Sequence, residues 1–401
     1  MILARFLSKI FNKEGIILVD SQGQKYICGE ISNKEKPLTI KLLNKDLNWK
    51  LAIYPQLYLG EEYYKGNIEI ENGTIYDFLN LALKNVGRGK INIYSTVLNH
   101  LVYGVNFLTK FNFVKSSKRN AEMHYNRGED IYDWMLDSEH RQYSCALFKD
   151  PNETLEVAQT NKLSHIVKKL NLKPGQRVLD IGCGWGGLSR YIAKEVGCEV
   201  HGISLASNQI EYCRKKAREY KLDNLVSYEL CDYRQVEGTW DRIVNVGFFE
   251  HVSPKFYNTF FKKIHDLLKD NSDSLCLTHT IASTNPPSPT NPFINKYIFN
   301  GGKVPTGSQI TTAIEQSGLI ISGWESLIDH YNLTLDHWRK RFLGNVNKAK
   351  KIYGSNFVRL WDFYLSSCSA SFKWSDLLVY QIETVKDFKS VPGRTRDYIY
   401  N

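Results

Sequence analysis

The sequence predicts an α/β fold in which a doubly wound, mostly parallel sheet forms the larger part and a smaller α+β domain precedes it. Three observations lead to this prediction. Strand-like and helical segments alternate from residue 177 onwards, and a glycine-rich turn joins the first strand of that series to its helix. The N-terminal quarter instead carries short β-type runs with turn signals. A chain of 401 residues also exceeds one ordinary hydrophobic core, which favours two domains.

The N-terminal region is predicted to be a small α+β domain over residues 1–100, followed by a helical linker over 101–122. Its strand-like runs are GIILVD, QGQKYICG, LTIKLL and KLAIYP, and an Asn-Gly turn then leads into a helix that Asn72 or Thr74 could cap. Residues 2–11 predict an amphipathic helix, which could rest on a membrane surface or pack against its own domain.

The second domain is predicted to span residues 123–401. Its strand-like segments are RVLDIG, EVHGISL, LVSYELCDY, DRIVNVGFFE, SLCLTHTIA, LIISGWESL and LLVYQIETV. Helical segments separate most of these strands, which indicates parallel pairing. Residues 285–309 are rich in proline and are predicted to form an irregular insertion.

Composition narrows the range of partners and compartments. The formal net charge of +10 favours an anionic partner but does not by itself choose between nucleic acid and an anionic membrane. No recognised nucleic-acid-binding motif is present, so we expect no nucleic-acid partner, and most of the charges are expected to lie on solvated helix faces. The eight cysteines show no CxxC pattern, so we expect neither a disulfide framework nor a metal site, and a cytoplasmic location fits best. Residues 91–109 lack charge, but their polar side chains favour a strand and a soluble helix over a membrane span.

The segment VLDIGCGWGG (178–187) carries the strongest local signal for a ligand. It combines a buried strand, a glycine-rich turn and the start of a helix, and Gly182 and Gly184 would allow the backbone to approach a ligand closely. Asp180 lies near the carboxyl end of the strand, where open α/β sheets bind ligands. A glycine-rich turn alone also fits NAD or FAD, but the DxGxGxG spacing differs from the dinucleotide pattern GxGxxG, and no phosphate-loop lysine follows.

Several further motifs occur in a fixed order along the chain. They are HYNRGEDIYDWMLD, YSCALF, AQTNKL, DYRQ, FFEHV, LTHTIA, NPFINKYIF, HYNLTLDHWRKRF and FYLSSCSASFKWSDLLVYQ. With the glycine-rich turn, they resemble the cyclopropane-fatty-acyl-phospholipid synthase family, a relative of the mycolic acid cyclopropane synthases. LYLGEEYYKGNIEI (57–70) is similar to the N-terminal lipid-binding domain of the phospholipid-acting branch. The resemblance implies a class I methyltransferase (Rossmann-like) fold with a seven-stranded sheet whose last strand, near LLVYQIETV, is antiparallel.

The resemblance implies S-adenosylmethionine as the cofactor. The positions matching its binding residues are Tyr143, Ser144, Val178, Asp180, Gly182, Gly184, Gly186, Ser204, Leu205, Gln209, Asp232, Tyr233 and Arg234. Tyr143 and Ser144 would line the cofactor, and the glycine-rich turn would surround its methionine part. Class I methyltransferases usually have an acid after the second strand for the ribose, and Gln209 would replace it here. Residues 232–234 would flank the adenine.

The implied reaction adds a methylene group to a cis double bond of an unsaturated phospholipid acyl chain. The double bond attacks the sulfonium methyl, a carbocation results, and loss of a proton closes the cyclopropane ring. By resemblance the base is a bound bicarbonate ion, and the positions matching its cage are Cys145, Glu250, His279, Ile281 and Tyr331. Cys145, Glu250, His279 and Tyr331, with Cys368, are the candidate catalytic residues.

Each of these residues also has a structural interpretation when taken alone. A cysteine in an aromatic stretch usually packs in a core, and a histidine within an apolar strand is usually a satisfied core residue. Glu250 after a strand could be a helix cap. Cys368 has no neighbouring base in the sequence, so we expect it to line an acyl pocket rather than act as a nucleophile. The ordered set of motifs favours the functional interpretation of the cage.

Three alternatives remain open from the sequence. The chain could be a small-amine N-methyltransferase, a methyl-branching fatty-acyl methyltransferase, or a lipid-binding protein without catalytic activity. The N-terminal domain argues against the first, and the complete cage argues against the other two. The resemblance further implies peripheral attachment at the inner membrane surface and a possible homodimer.

Overall fold

The computed structural model describes residues 1–87, 128–271, 273–393 and 395–400. Their contacts divide them into two compact units. The first, called here the N-terminal unit, comprises residues 1–87 together with two later segments, Ser288–Asn300 and Leu335–Leu377. The rest forms the second, called here the large-sheet unit. The predicted domain limits at residues 100 and 122 and the predicted strand and helix over 91–109 lie outside the described residues and stay predictions.

Eleven strands are present in the described residues. They are β1 (Ile16–Val19), β2 (Lys25–Cys28), β3 (Thr39–Leu42), β4 (Ile68–Glu71), β5 (Arg177–Ile181), β6 (Glu199–Ser204), β7 (Val226–Leu230), β8 (Arg242–Val246), β9 (Leu275–Ser283), β10 (Ile320–Leu327) and β11 (Leu377–Val385).

Fourteen α-helices accompany these strands in the same part of the chain, and none of them is long and apolar enough to cross a membrane. They are α1 (Ile2–Ile10), α2 (Leu47–Ile53), α3 (Pro55–Tyr64), α4 (Ile75–Val86), α5 (Glu129–Met135), α6 (Leu155–Lys169), α7 (Gly187–Val196), α8 (Ser207–Glu219), α9 (Tyr257–Leu267), α10 (Pro292–Tyr297), α11 (Gly307–Ser317), α12 (His330–Gly344), α13 (Val346–Trp374) and α14 (Asp397–Tyr400).

The N-terminal unit is an α+β structure built on a four-stranded sheet in the order β2-β1-β3-β4. The β1 and β3 strands are parallel, and the β1/β2 and β3/β4 pairs are antiparallel. Its core includes Leu18, Ile40, Leu42 and Phe78, which are all buried. The helix α1 forms as predicted, and Leu3 and Ala4 on its apolar face are buried in this unit. The helix therefore packs against its own domain.

Two predictions about local structure were wrong. The run KLAIYP, predicted as a strand, instead holds the end of α2 and the start of α3. Leu47 and Leu51, one helical turn apart, are buried, so the apolar residues follow a helical period, and Pro55 occupies the first position of α3, where proline is tolerated. The proline-rich insertion also contains a helix, α10, whose N-terminus is capped by the Asn291 side chain.

The large-sheet unit contains the predicted seven-stranded sheet, in the order β10-β11-β9-β8-β5-β6-β7. The pairs β5/β6, β6/β7, β5/β8 and β8/β9 are parallel. The last strand, β11, is antiparallel to β10, which confirms the prediction for LLVYQIETV. Because chain connections leave β5 in both directions along the sheet, the carboxyl ends of β5, β6 and β8 border the crevice where such sheets bind ligands.

We expect the cap of α4 to be a measurable source of stability. The Thr74 hydroxyl accepts a hydrogen bond from the Asp77 N–H, and the Asp77 carboxylate accepts one from the Thr74 N–H at 2.7 Å. Thr74→Ala should lower the free energy of unfolding by about 1 kcal/mol, whereas Thr74→Ser, which keeps the hydroxyl, should lower it much less. Urea denaturation followed by circular dichroism measures both. Equal losses in the two variants would contradict the capping role.

Candidate active site

The glycine-rich turn after β5 leaves open space for a ligand at one of its glycines. Gly182, Gly184 and Gly186 all have positive φ, at 79°, 54° and 73°. A β-carbon at Gly186 would meet the Tyr228 hydroxyl at 2.6 Å and the Cys213 sulfur at 2.8 Å, so this glycine serves close packing. A β-carbon at Gly184 would meet nothing within 4 Å. The backbone is therefore approachable at Gly184.

Asp180, near the end of β5, is held in place from inside the unit. It is 2% exposed, and its Oδ2 accepts a hydrogen bond of 2.6 Å from the Ser189 hydroxyl on α7. Burial raises the pKa of Asp180 to about 6, although the Ser189 hydrogen bond and the charge of Lys162 oppose this rise. Val178, two residues earlier, lies wholly within the hydrophobic core.

The candidate ribose and adenine residues follow β6 and β7. The Ser204 hydroxyl donates to Oε1 of the buried Gln209 at 2.9 Å, and Leu205 between them is half-buried. Arg234 donates two hydrogen bonds, of 2.8 and 2.7 Å, to the buried Asp232 carboxylate. The ring of Tyr233 lies in the hydrophobic core of the large-sheet unit.

Residues 142–148, called here the site strip, contain the candidates Tyr143, Ser144 and Cys145. Two helices fix the strip. Gln159 on α6 donates to the Ser144 carbonyl at 3.0 Å. At the start of α12, the Thr334 hydroxyl accepts from the Ala146 N–H at 3.0 Å, and His330 Nδ1 accepts from the Phe148 N–H at 3.2 Å. The second set of bonds anchors the strip to the helix turn that also carries the candidate Tyr331.

Glu250 lies in a short 3₁₀ turn, Phe249–His251, after β8. Its Oε2 accepts a hydrogen bond of 3.0 Å from the Thr280 hydroxyl, and the Ile281 N–H also donates to this carboxyl group. Burial raises the pKa of Glu250 to about 7, although these hydrogen bonds oppose the rise. A substantial fraction of Glu250 is therefore protonated at neutral pH.

His279 on β9 is buried and neutral. Burial, and secondarily the charges of Lys162 and Lys169, lower its pKa well below the usual value. The side-chain amide nitrogen of Gln381 on β11 lies 3.1 Å from His279 Nδ1. With that amide as the donor, Nδ1 accepts and the ring proton resides on Nε2.

The site strip and the candidate cage meet at Gly247, which follows β8. The Gly247 N–H donates to the His279 carbonyl at 2.9 Å. A β-carbon at Gly247 would lie 3.6 Å from Oε1 of Glu250 and 3.8 Å from Cβ of Ser144. Both side chains therefore border the same small space. Cys145 follows Ser144 directly and is buried, which raises the pKa of its thiol.

Cys368 belongs to the N-terminal unit, on α13. Burial raises the pKa of its thiol to about 12. A thiol with so high a pKa is almost entirely protonated at neutral pH, so Cys368 is not an activated nucleophile.

Several residues of the site were missed by the sequence analysis. Gln159 and Lys162 on α6, Thr280 on β9 and Gln381 on β11 all contact candidate site residues. One signal could have revealed the first two: AQTNKLSH places polar residues on the helix face that carries the buried Leu155 and Leu163. Within the described ranges, no group of three His, Cys, Asp or Glu side chains is arranged to hold a metal ion.

The open space at Gly184 predicts the effect of filling it. Gly184→Val should abolish binding of S-adenosylhomocysteine, because a branched side chain would enter the ligand's space and disfavour positive φ. The matched control is Gly238→Val, since Gly238 also has positive φ, at 86°, and open space around a β-carbon, but lies outside the turn. Calorimetry on both variants measures the affinity. Retained binding in Gly184→Val, or equal loss in the control, would show that this turn is not the site.

Comparison with known proteins supports one family. The family model for mycolic acid cyclopropane synthetase matches residues 113–382. A cyclopropane-fatty-acyl-phospholipid synthase from Escherichia coli (strain K12) is 35% identical over 359 residues, which cover 88% of this chain and 90% of that protein.

Solved structures agree with this result. The cyclopropane synthase MmaA2 from Mycobacterium tuberculosis is 29% identical, with a TM-score of 0.63, over 67% of this chain and 97% of its own. A coclaurine N-methyltransferase has a TM-score of 0.66 over 82% of this chain and 98% of its own, but at 18% identity it shares the fold alone. The fold is that of class I methyltransferases. Because the family model covers most of the chain and the Escherichia coli relative aligns over nearly its whole length, the chain belongs to the mycolic acid cyclopropane synthetase family.

Proposed function

We propose that this enzyme transfers a methylene group from S-adenosylmethionine to a cis double bond of an unsaturated phospholipid acyl chain and so forms a cyclopropane ring. The observation that carries the proposal is the meeting of Ser144 and Glu250 at Gly247, because it joins the candidate cofactor residues to the candidate base site. The Escherichia coli relative, named for this reaction, matches both units rather than the methyltransferase fold alone.

The residues around the glycine-rich turn fit the cofactor. Gly184 leaves room beside the backbone, and Gln209, tied to Ser204, presents an amide where other methyltransferases have an acid. The ion pair between Arg234 and Asp232 holds both of these side chains in place after β7. When bound, S-adenosylmethionine supplies an electrophilic methyl group. The protein side chains orient it and exclude water from the acceptor.

The cage fits a bicarbonate base because its buried groups can donate hydrogen bonds to an anion. Glu250 is partly protonated at neutral pH, and neutral His279 carries its proton on Nε2. The Tyr331 hydroxyl and the Cys145 thiol complete the proposed set. The Ile281 N–H donates to the Glu250 carboxyl group, so Ile281 contributes to the cage by holding Glu250 in place.

The N-terminal unit contains a cavity suited to a lipid chain. Its volume is about 320 Å³, which lies within the range of small-molecule pockets. The lining is almost wholly apolar and includes Leu3, Phe6 and Leu7 of α1 and Phe78 of α4. We propose that this cavity takes part of a phospholipid acyl chain.

A membrane-facing surface is also available on the same unit. Trp49 and Ile53, one helical turn apart on α2, are 55% and 60% exposed. The neighbouring helix α1, tied to α2 by a hydrogen bond from the Leu3 N–H to the Asn48 side chain, exposes Arg5 and Lys9. An exposed tryptophan beside basic residues suits a peripheral contact with an anionic bilayer. A cytoplasmic enzyme at the inner membrane surface, with a possible homodimer, is the matching expectation.

Glu250 provides the sharpest test of the proposed chemistry. Glu250→Ala should lower the rate of ring formation by ~10²–10⁴, because the anion loses a positioned acid–base partner. Glu250→Gln, which keeps a donor, should fall between this variant and the wild type. Affinity for S-adenosylhomocysteine should stay near normal in both, since the glycine-rich turn is untouched. Calorimetry and lipid mass analysis on the same preparations measure the two quantities.

Two outcomes would contradict the Glu250 assignment. If affinity and turnover fall together, Glu250 supports the fold or the cofactor pocket. If neither changes, the proton-abstracting group lies elsewhere and the cage assignment fails. If the wild type forms a methyl-branched product, it is a methyl-branching enzyme and the proposed ring closure is wrong. If it methylates a small amine instead of a lipid, the proposed phospholipid acceptor is wrong.

The pKa of Glu250 also predicts a pH dependence. Burial raises this pKa to about 7, so the carboxyl group is mainly protonated below pH 7 and ionised above it. An ionised carboxylate would repel an adjacent bicarbonate, so ring formation at constant bicarbonate should decline as the pH rises through about 7. Glu250→Gln cannot ionise and should lose this decline. An unchanged pH profile in that variant would assign the decline to another group.

Binding to vesicles tests the membrane proposal. Sedimentation with vesicles should increase with anionic lipid and weaken with salt, because the net charge of +10 acts through screened attraction. The double variant Trp49→Ala/Ile53→Ala should bind more weakly at every salt concentration. Tyr220→Ala is the matched control, since Tyr220 is 53% exposed but lies in the large-sheet unit. Equal binding by all three proteins would exclude the α2 surface.

A further inference from the structure

Lys162 on α6 is a buried cation that neither the candidate cofactor set nor the candidate cage includes. Its side chain is completely buried, which is unusual for a lysine because removing an ammonium from water is costly. No carboxylate oxygen of the described residues lies within 4.0 Å of Nζ. Nζ donates instead to two neutral acceptors, Gln142 Oε1 at 2.6 Å and Ser144 Oγ at 2.9 Å.

Both acceptors belong to the site strip. Gln159, three residues before Lys162 on the same helix face, donates to the Ser144 carbonyl. One helix therefore fixes Ser144 twice, through its backbone and through its hydroxyl. Since Ser144 borders the space at Gly247 together with Glu250, the orientation of that hydroxyl bears directly on the site.

The charge of Lys162 also interacts with residues of both the candidate cofactor set and the candidate cage. The titratable groups that interact with it are Asp137, His140, Cys145, Asp180 and His279. Burial lowers the pKa of Lys162 to about 7, and the charges of Asp137, Cys145 and Asp180 oppose this shift. The same residue therefore interacts with a candidate cofactor residue, Asp180, and with two candidate cage residues, Cys145 and His279.

We propose that Lys162 is a positioning residue that acts through the Ser144 hydroxyl and supplies the positive charge that favours a carboxylate-type anion in the site. Two anions have this chemistry, the cofactor's own carboxylate and the bicarbonate base. The inference rests on the proposed function for the bicarbonate and on the glycine-rich turn for the cofactor. The competing explanation is that Lys162 is a core residue that only satisfies its own hydrogen bonds.

A double-mutant cycle separates these explanations. The variants are Lys162→Met, which keeps the length of the side chain but removes its charge and donors, Ser144→Ala, and the two combined. We expect Lys162→Met to weaken binding of the anion roughly ten- to a hundredfold, because the variant loses the hydrogen bond from a charged group to the Ser144 hydroxyl. If Lys162 acts through Ser144, the combined variant should be scarcely worse than the more severe single variant.

Two measurements identify the anion. Calorimetry with S-adenosylhomocysteine reports the cofactor's carboxylate, and the bicarbonate concentration giving half-maximal ring formation reports the base. If only the affinity for S-adenosylhomocysteine changes, the anion is the carboxylate of the cofactor. If only the half-maximal bicarbonate concentration changes, the anion is bicarbonate. If the wild type binds S-adenosylhomocysteine but forms no ring, the proposed function fails, while the calorimetric cycle still tests Lys162.

Three results would overturn the proposal. Changes within twofold in both measurements for Lys162→Met would show that the charge is not needed. Additive losses in the cycle would show that Lys162 does not act through Ser144. Thermal melting checks the fold, and Lys162→Gln, which retains a neutral donor, serves if Lys162→Met does not fold. If neither variant folds, Lys162 is a structural residue only.

Discussion

The parallel pairing of β5, β8 and β9 is the constraint on which the site depends. The carboxyl ends of parallel β5 and β8 lie at the same edge of the sheet, and Gly247 after β8 bonds to His279 in the middle of the neighbouring strand β9, although these residues are far apart in sequence. A shift of one residue in any of these pairings would turn His279 or Asp180 to the opposite face. Register in the core therefore controls the chemistry at the edge.

Burial gives the site its chemical character. Glu250 and Asp180 have raised pKa values, and His279 and Lys162 have lowered ones, and in each case removal from water is the main cause. The Glu250 carboxyl group and the His279 ring are thus held near their neutral forms, whereas Lys162, with a pKa of about 7, stays partly charged at neutral pH. A protonated carboxyl group can donate to an anion, whereas a carboxylate can only accept.

The apolar side chains of the N-terminal unit form two groups, one that lines the internal cavity and one that is exposed on the surface. Leu3, Phe6, Leu7 and Ile10 of α1 line the cavity, so this helix exposes its basic side chains and, among its large apolar residues, Ile2, which is 44% exposed. Trp49 and Ile53 on α2 provide a more exposed apolar surface. Packing α1 against its own sheet stabilises the unit and leaves α2 to make the apolar contact.

The sequence by itself determined the α/β class, the seven strand segments of the large sheet and the glycine-rich turn, because strand and helix periods and glycine spacing are local properties of the chain. It could not distinguish the helices at KLAIYP from a strand, since a short apolar run fits either and only Leu47 and Leu51 packing into one core decided the matter. Tertiary structure alone placed Ser144 and Glu250 beside Gly247 and buried Lys162 against the site strip. Those relations join residues on different elements, and the free energies that shift their pKa values arise only when folding removes them from water.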